Sequence, residues 1–347
     1  MTEANAVAPE DAPFLSVVIP AYNEKDNIAP LAAAIGEALP RGMKRELIFV
    51  NDGSSDGSLD TLRALAASDP NVRYISFSRN FGHQAALRAG IEAARGECTV
   101  MMDGDFQHPP ALIPQLIDAY RRGYDIVQTR RLDDDAPAGD PAAAGGPAKR
   151  SRRTSLGKRL TSRLFYSLVN ALSDTRIEPG TADFRLLSRR AREAVLALRE
   201  HNLFLRGALP WIGLPTAIID YVPAERRSGV SKYSLSKMFS LALDGITSFS
   251  IRPLRLTSFA GLLISGAGFA YALYALAVRL FTDRAVEGWT SLLISVLIIG
   301  GIQLLSLGIA GEYLGKLFLE AKGRPHYIVA ETSPMPITPR DTAEKGE

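Results

Sequence analysis

Residues 97–107 read Glu97-Cys-Thr-Val-Met-Met-Asp103-Gly-Asp105-Phe-Gln107, and the rest of the chain is organised around them. A short apolar segment ends abruptly in two acids that flank a glycine, which is typical of a buried strand running into a loop. In open α/β sheets ligands bind beyond the carboxyl ends of the strands, so we expect both acids to face a site. Two carboxylates and the amide oxygen of Gln107 are hard oxygen ligands of the kind that Mg²⁺ or Mn²⁺ prefers. A solvated turn has the same composition, so this stretch alone leaves both interpretations open.

Strand-like and helix-like segments alternate on both sides of this stretch. The strand-like runs cover residues 14–19, 46–51, 72–76, 98–102 and 125–129, and segments with helical spacing separate them. Strand and helix alternate five times with short connections, which predicts an α/β fold with a doubly wound parallel sheet.

Composition and missing motifs exclude several classes of protein. The N-terminal dozen residues are acidic and rich in Ala and Pro, so we expect no cleaved secretory signal. Cys98 is the only cysteine of the 347 residues, which rules out an internal disulfide and fits a reducing compartment. Its apolar strand favours a packed thiol over a nucleophile. No Gly-x-Gly-x-x-Gly follows the first strand and no Walker-type lysine is present, which disfavours dinucleotide oxidoreductases and P-loop kinases.

Polar residues after three of the predicted strands suit a nucleotide. Pro20-Ala-Tyr22-Asn-Glu24 follows the first strand, where the ring can stack on a base and the acid can accept from it. Asp52 follows the second strand and can accept from a base or a ribose. The acids at 103 and 105 would then serve the diphosphate through a metal ion, in place of a glycine-rich loop.

Four motifs in fixed order carry a specific resemblance. They are Val-Val-Ile-Pro-Ala-Tyr-Asn-Glu (17–24), Val-Asn-Asp-Gly-Ser-Ser-Asp-Gly (50–57), Ser-Arg-Asn-Phe-Gly-His-Gln (78–84) and Asp-Gly-Asp-Phe-Gln-His-Pro-Pro (103–110). Together they resemble the inverting family 2 glycosyltransferases of GT-A fold. Within that family the chain looks like the branch that makes polyprenyl-phosphate sugars, relatives of dolichol-phosphate mannose synthase and bacterial undecaprenyl-phosphate glycosyltransferases.

The resemblance implies roles for individual residues. Asp183, in Gly180-Thr-Ala-Asp183-Phe-Arg185, would be a second acidic residue facing the sugar or the acceptor, although it could instead only cap or pair with Arg185. The implied metal ligands for Mg²⁺ or Mn²⁺ are Asp103, Asp105 and Gln107. The implied nucleotide-sugar-binding residues are Pro20, Tyr22, Glu24, Asp52, Asp103, Gly104, Asp105, Gln107, Arg131 and Arg206. The implied catalytic residues are Asp103, Asp105, Asp183, Arg226 and Lys232.

A basic loop, Arg226-Arg227-Ser-Gly-Val-Ser-Lys232, suits phosphate oxygens because Arg forks and a Lys head surround a glycine turn. In the resembled enzymes the residues matching Arg226 and Lys232 touch the donor diphosphate or the lipid phosphate. With Arg227 they form the predicted acceptor-phosphate site. Attraction of a solvated basic loop to anionic lipid is an alternative, and both roles are compatible.

The chain departs from the family pattern in two places. The family usually has an Asp after the position of Gln107, where this chain has His108, which leaves the metal preference open. Residues 132–153 form an insertion rich in Asp, Ala, Gly and Pro, which predicts a flexible loop that is either a substrate lid or a tolerated insertion. His83, His201 and His326 lack metal-like spacing and are predicted to be structural.

Two uncharged runs, 256–278 and 291–310, are each long enough to span a hydrocarbon core of roughly 30 Å. Amphipathic segments at 157–172 and 234–250 suit a membrane surface, although a soluble amphipathic helix explains the first equally well. Lys and Arg precede the first span and follow the second, whereas the joining loop carries few charges, which predicts a catalytic domain in the cytoplasm at the inner membrane. The predicted organisation is a disordered N-terminus (1–13), a catalytic domain (14–230), a juxtamembrane helix (231–253), membrane helices (254–281 and 289–311) and a cytoplasmic tail (312–347).

The predicted reaction moves one sugar, with inversion, from a UDP- or GDP-sugar such as UDP-glucose or GDP-mannose to polyprenyl phosphate. The product would be a lipid-linked sugar for the cell envelope. The attacking phosphate oxygen is already anionic, so no strong base is required. Glycine-rich helix faces favour a homo-oligomer, a dimer or tetramer, and no nucleic-acid partner is expected.

Two alternatives remain at this point. A processive polysaccharide synthase is disfavoured because no Gln-x-x-Arg-Trp motif is present. A non-catalytic membrane partner of a lipid-linked sugar transporter is disfavoured because two uncharged spans make a poor transport path.

Overall fold

The computed structural model describes residues 12–132, 181–198, 200, 205–222, 250–281 and 288–333. The described chain divides into two compact units, one built on a sheet and one on two long C-terminal helices. The strands are β1 Leu15–Ala21, β2 Arg45–Asn51, β3 Val72–Phe77, β4 Cys98–Met101, β5 Ile126–Arg131, β6 Thr181–Ser188, β7 Thr216–Tyr221 and β8 Val329–Thr332. The helices are α1 Lys25–Ala38, α2 Ser58–Ser68, α3 His83–Ala93, α4 Ile113–Arg121, α5 Arg189–Ala197, α6 Leu205–Ile212, α7 Arg252–Phe281 and α8 Trp289–Ala321.

The described strands form one sheet in the order β7-β5-β6-β4-β1-β2-β3-β8. The neighbours β4, β1, β2 and β3 are parallel, as are β5 and β7. β6 runs antiparallel between β4 and β5, and β8 runs antiparallel beside β3. The prediction of an α/β fold is confirmed, whereas the all-parallel sheet is wrong. The sheet is mixed because two strands that the local pattern did not mark enter it from distant parts of the chain.

The central strands are covered on both faces, which explains their unbroken apolar runs. Every residue of β1 is buried, and Leu15, Val17 and Ile19 pack in the main core with Phe49 of β2. Cys98 is buried in β4, as predicted for a packed thiol, and burial raises its pKa to about 12. Because packing on both faces fixes the strands, the positions at which the loops begin at their carboxyl ends are fixed too.

The amino end of the sheet is held by a buried carboxylate. Glu46 of β2 accepts a hydrogen bond from Ser16 Oγ at 2.6 Å, from the backbone N–H of Arg95 at 2.7 Å and from Arg73 Nη1 at 2.7 Å. Burial by itself would raise the pKa of Glu46, but these partners together lower it below its ordinary value. This cluster connects β1, β2 and β3 at their amino ends, opposite the end that carries the candidate site.

The segment after α8 returns to the sheet as β8 and covers the edge of β3, an edge that would otherwise expose unpaired backbone groups. The ring of Tyr327 stacks on Phe77 with centroids 4.8 Å apart, and its hydroxyl donates to Glu92. Glu331 accepts from Arg63 Nε at 2.9 Å and from the Tyr74 hydroxyl at 2.5 Å. Part of the predicted C-terminal tail is thus an ordered strand.

Helices α7 and α8 form the second unit. Both are long and apolar enough to cross a membrane, over Arg252–Val278 and Ile298–Ala321, and neither of these stretches is buried within the structure. The prediction of two long apolar helices is confirmed. The second helix continues to Ala321, beyond the predicted end of the span at residue 311.

Several predictions fall on residues outside the described part of the chain. They are most of the N-terminal segment, nearly all of the 132–153 insertion, the amphipathic segments and the basic loop with Arg226, Arg227 and Lys232.

Candidate active site

The two acids of the central stretch leave β4 in a tight turn. Phe106 has a left-handed backbone with φ 62°, and the backbone N–H of Gln107 donates to Asp105 Oδ1 at 3.1 Å. A Cβ at Gly104 would lie 3.2 Å from the carbonyl oxygen of Pro20, so a side chain there would push this turn away from the end of β1. The glycine therefore lets the acidic turn lie against the Pro20 loop.

The first two motifs interlock at the same edge. The backbone N–H of Asn23 donates to Ser54 Oγ, and the N–H of Ser55 donates back to Asn23 Oδ1, both at 2.9 Å. Tyr22 is 50% exposed, which leaves its side chain accessible for the predicted stacking on a base. Glu24 accepts from Asn27 Nδ2 at 2.5 Å, which fixes its carboxylate at the start of α1.

Asp52 ties the second motif to the third. Its Oδ1 accepts from the N–H of Phe81 at 2.6 Å, and its Oδ2 accepts from the N–H of Gly82 at 3.0 Å. Burial raises the pKa of Asp52 above its ordinary value, although both backbone hydrogen bonds oppose this shift. Asp52 therefore positions the start of α3. The predicted contact to a base or ribose would use the remaining lone pairs of the same oxygens.

Asp183 of β6 lies among cationic groups. Its Oδ1 accepts from Arg185 Nη2 at 2.5 Å, and Arg206 of α6 contacts both oxygens, with Nη2 3.1 Å from Oδ2. The Arg185 side chain is 1% exposed. Burial by itself would raise the pKa of Asp183, but His83, Arg185 and Arg206 hold it well below its ordinary value. The predicted pairing with Arg185 is present, and Arg206 joins it.

His83, the first residue of α3, lies between the two groups of acids. Its Nε2 is 3.5 Å from Asp103 Oδ1 and 3.7 Å from Asp183 Oδ2. Burial opposes protonation of the ring, but the interaction with Asp183 and the charge of Asp103 raise the pKa of His83 above its ordinary value. Sequence analysis assigned this residue a structural role because its spacing is not metal-like. Its place in the 78–84 motif was the signal that it belongs to the site.

His108 contacts the backbone of Asp103. It is buried, its ring stacks on Phe184 at 5.1 Å, and its Nδ1 accepts from the backbone N–H of Asp103 at 3.0 Å. Burial lowers the pKa of His108, while Asp103, Asp105 and Asp183 oppose this shift. A neutral ring whose Nδ1 accepts carries its proton on Nε2, and that atom lies 3.6 Å from Asp103 Oδ2. The chain thus places an N–H donor beside Asp103.

The carboxylates fit a divalent cation better than the third predicted ligand does. Within the described residues Asp103 Oδ1 is buried and accepts no hydrogen bond. The amide oxygen of Gln107 instead accepts from Arg131 Nη1 at 3.4 Å. In the part of the chain that the structure describes, no group of three or more His, Cys, Asp and Glu side chains could hold a metal. Such a site suits a cation that takes most ligands from water and substrate phosphates, as Mg²⁺ does.

The structure therefore brings most of the predicted site residues to the carboxyl end of the parallel strands. Asp105, Gln107 and Arg131 are connected by hydrogen bonds in the turn that also carries Asp103, and Asp183 pairs with Arg206. His83 links the two groups, a connection that sequence analysis missed.

Comparison with known proteins identifies the family. The model of the family described as Glycosyl transferase family 2 matches residues 16–195. The uncharacterized glycosyltransferase YkcC of Bacillus subtilis is 41% identical over 318 residues, which cover 91% of this chain and 93% of the relative. The SfII prophage-derived bactoprenol glucosyl transferase of Shigella flexneri is 39% identical over 321 residues, covering 92% of this chain and 98% of the relative.

Among solved structures, glucosyl-3-phosphoglycerate synthase from Mycobacterium tuberculosis is similar with a TM-score of 0.45 at 19% identity, covering 71% of this chain and 84% of that chain. The mixed α/β sheet of this chain is of the GT-A type. On the family match and the near full-length relatives, the chain belongs to glycosyl transferase family 2.

Proposed function

We propose that the chain transfers glucose from UDP-glucose to undecaprenyl phosphate, with inversion at the anomeric carbon. Relatives that align over nearly their whole length are named bactoprenol glucosyl transferases, among them proteins of Shigella flexneri and of Shigella phage SfV. Bactoprenol is the undecaprenyl carrier, and glucose is the sugar in those names. The sugar and the acceptor are therefore proposed together.

The pairing of the Asp183 carboxylate with two arginines is the observation that supports a phosphate as the acceptor. A sugar hydroxyl needs a general base to become a nucleophile, and a good base has a pKa near the working pH. Asp183 is instead engaged by Arg185 and Arg206, and its pKa is held well below its ordinary value. An acceptor phosphate needs no such base because its oxygen is already anionic. The arrangement thus favours a phosphate acceptor over a sugar hydroxyl.

The proposed reaction is a single displacement. A bond forms between a phosphate oxygen of the lipid and the anomeric carbon, and the bond from that carbon to the donor diphosphate breaks. The electron pair of the broken bond leaves with UDP, and no proton has to be removed. The principal difficulty is charge, because an anionic acceptor approaches an anionic donor. The protein must therefore neutralise and orient phosphates.

Separate groups of residues are proposed to neutralise and orient the phosphates. Asp103 and Asp105 would hold Mg²⁺ or Mn²⁺, which supplies positive charge to the departing diphosphate. Arg206 is oriented by Asp183, so its guanidinium is fixed at the same edge. Tyr22 and Glu24 would bind the nucleoside, and Gln107 with Arg131 would border the diphosphate. Arg226, Arg227 and Lys232, outside the described residues, are proposed to bind the lipid phosphate.

Helices α7 and α8 would anchor the enzyme in the inner membrane with the catalytic unit in the cytoplasm. Anchoring keeps the active site at the headgroups, where the acceptor phosphate is presented, and so limits the search for the acceptor to two dimensions. A homo-oligomer assembled through these helices is part of the same proposal.

A label-transfer assay tests the proposed function. Full-length protein in detergent is given Mg²⁺ or Mn²⁺, undecaprenyl phosphate and, in separate reactions, radiolabelled UDP-glucose, other UDP-sugars or GDP-mannose. Label from UDP-glucose should enter the organic phase, and Asp105→Asn should abolish the transfer. Label from another donor alone would overturn the choice of glucose. Label in a polymer would establish a polysaccharide synthase instead.

A further inference from the structure

The imidazole of His83 occupies a position that its spacing in the sequence does not explain. It begins α3, and the two preceding backbone N–H groups, of Phe81 and Gly82, donate to the buried carboxylate of Asp52. The start of the helix is thus fixed to the end of β2. Because the backbone at the start of α3 is held in place, the His83 side chain is well positioned to contact a ligand.

His83 faces acids from two neighbouring strands. Asp103 follows β4 and Asp183 lies in β6, which pairs with β4. The distances from Nε2, 3.5 Å to Asp103 Oδ1 and 3.7 Å to Asp183 Oδ2, exceed the usual 2.7 to about 3.2 Å of an N–H···O hydrogen bond. At these distances the N–H lies near both carboxylates without a well-formed hydrogen bond to either. A well-placed anionic oxygen would be a better acceptor.

The donor sugar diphosphate supplies such an oxygen. If Asp103 serves the diphosphate and Asp183 faces the sugar, the bond that breaks lies between these two acids. His83 also lies between them, and its ring is 41% exposed, so a ligand can reach it. An imidazole Nε2–H donates whether the ring is neutral or charged.

We propose that His83 is a catalytic residue that donates a hydrogen bond from Nε2 to the β-phosphate of the leaving nucleoside diphosphate. This inference rests on the proposed function. As the bond between the anomeric carbon and the diphosphate oxygen breaks, its electron pair stays on that oxygen, and negative charge grows on the β-phosphate. A fixed donor aimed at developing charge stabilises the transition state more than the ground state. No proton is transferred to or from the ring.

The test compares His83→Ala and His83→Gln with wild-type protein, all full-length and in detergent. His326→Ala, in the segment that leads into β8, is the control for loss of an imidazole elsewhere. Three quantities are measured: kcat and KM with UDP-glucose, the affinities for UDP and for UMP, and the affinity for Mn²⁺ without nucleotide. UDP and UMP differ by the β-phosphate, so the ratio of their affinities isolates the proposed contact.

His83→Ala should lower kcat by about tenfold or more with little change in KM, and should lower the preference for UDP over UMP by a similar factor. Affinity for Mn²⁺ should be unchanged or higher, because Asp103 loses a competing partner. His83→Gln should recover part of both losses, since its amide N–H can also donate. His326→Ala should match the wild type.

An unchanged ratio of UDP affinity to UMP affinity in His83→Ala would overturn the inference. If both affinities fell by the same factor, the result would mark a role of His83 in positioning the loop. Failure of the proposed function gives a different result. In that case wild-type protein transfers no glucose to undecaprenyl phosphate, while the nucleotide affinities still report on the contact of His83 with the β-phosphate.

Discussion

The guanidinium of Arg206 spans the carboxylate of Asp183, with Nε 3.3 Å from Oδ1 and Nη2 3.1 Å from Oδ2. A planar fork of this kind fixes both partners in orientation as well as in distance. It joins α6 to β6, the strand beside the acidic turn. An acid so engaged is suited to orienting an arginine and poorly suited to accepting a proton.

This relationship predicts the behaviour of Asp183→Asn. The substitution removes the charge that orients Arg206, so kcat should fall at least about tenfold. The pH profile of the residual activity should keep the wild-type shape between about pH 6 and 9, because the pKa of Asp183 is far below that range. Asp220→Asn, which breaks a comparable exposed pair with Arg130, is the matched control and should retain activity. A basic limb lost only in Asp183→Asn would show that Asp183 acts as a base.

The acidic turn should account for dependence on a divalent cation. Asp103→Asn and Asp105→Asn should each lower sugar transfer by more than about a hundredfold, and chelation with EDTA should do the same to wild-type protein. Direct titration with Mn²⁺ should show weaker binding in both variants. Asp118→Asn, on the exposed face of α4, serves as the control. Full transfer by EDTA-treated protein would remove the metal from the account.

Glu46 should make stability depend on pH. Its folded-state pKa is lowered, so its contribution is complete above the ordinary Glu pKa of about 4.3 and is lost as the pH falls through the lower folded-state pKa. Glu46→Gln should destabilise the catalytic unit by about 3 kcal/mol at neutral pH, because Arg73 is left without its buried partner. Thermal melts at several pH values, with the exposed Glu37→Gln as control, measure this. A Tm difference between wild type and Glu46→Gln that stays constant into acid would contradict it.

The edge strand β8 should depend on the stacking of Tyr327. Tyr327→Ala removes the ring that packs on Phe77 and should lower the free energy of unfolding by about 1 kcal/mol or more. Tyr327→Phe keeps the ring and loses only the hydroxyl that donates to Glu92, so its Tm should lie nearer the wild type. Equal losses in the two variants would assign the stability to the hydroxyl.

Local pattern was sufficient for five of the six strands that run in one direction, and it did not mark β7. Each predicted run matches an observed strand to within two residues at either end, because unbroken apolar segments signal strands covered on both faces. β6 carries Asp183 and the buried Arg185, so its sequence lacks that signal. Its place between β4 and β5 depends on distant pairing, which no local period encodes.

The site shows the same division. The acids at 103 and 105 and the donor-side residues could be named in advance because they follow strand ends in recognisable motifs. The positions of His83 and His108 could not, since only the folded sheet brings each of them to the carboxylate of Asp103. Gln107 was predicted as a metal ligand from its chemistry, whereas its amide oxygen contacts Arg131.

The most direct test of the central claim is the chemical identity of the product. Full-length protein is incubated with UDP-glucose, in which the sugar is α-linked, and with undecaprenyl phosphate, and the lipid product is purified for mass spectrometry and NMR. The account predicts a single glucose joined to undecaprenyl phosphate through a β linkage. An α linkage, more than one sugar on the lipid, or no glucosylated lipid at all would contradict it.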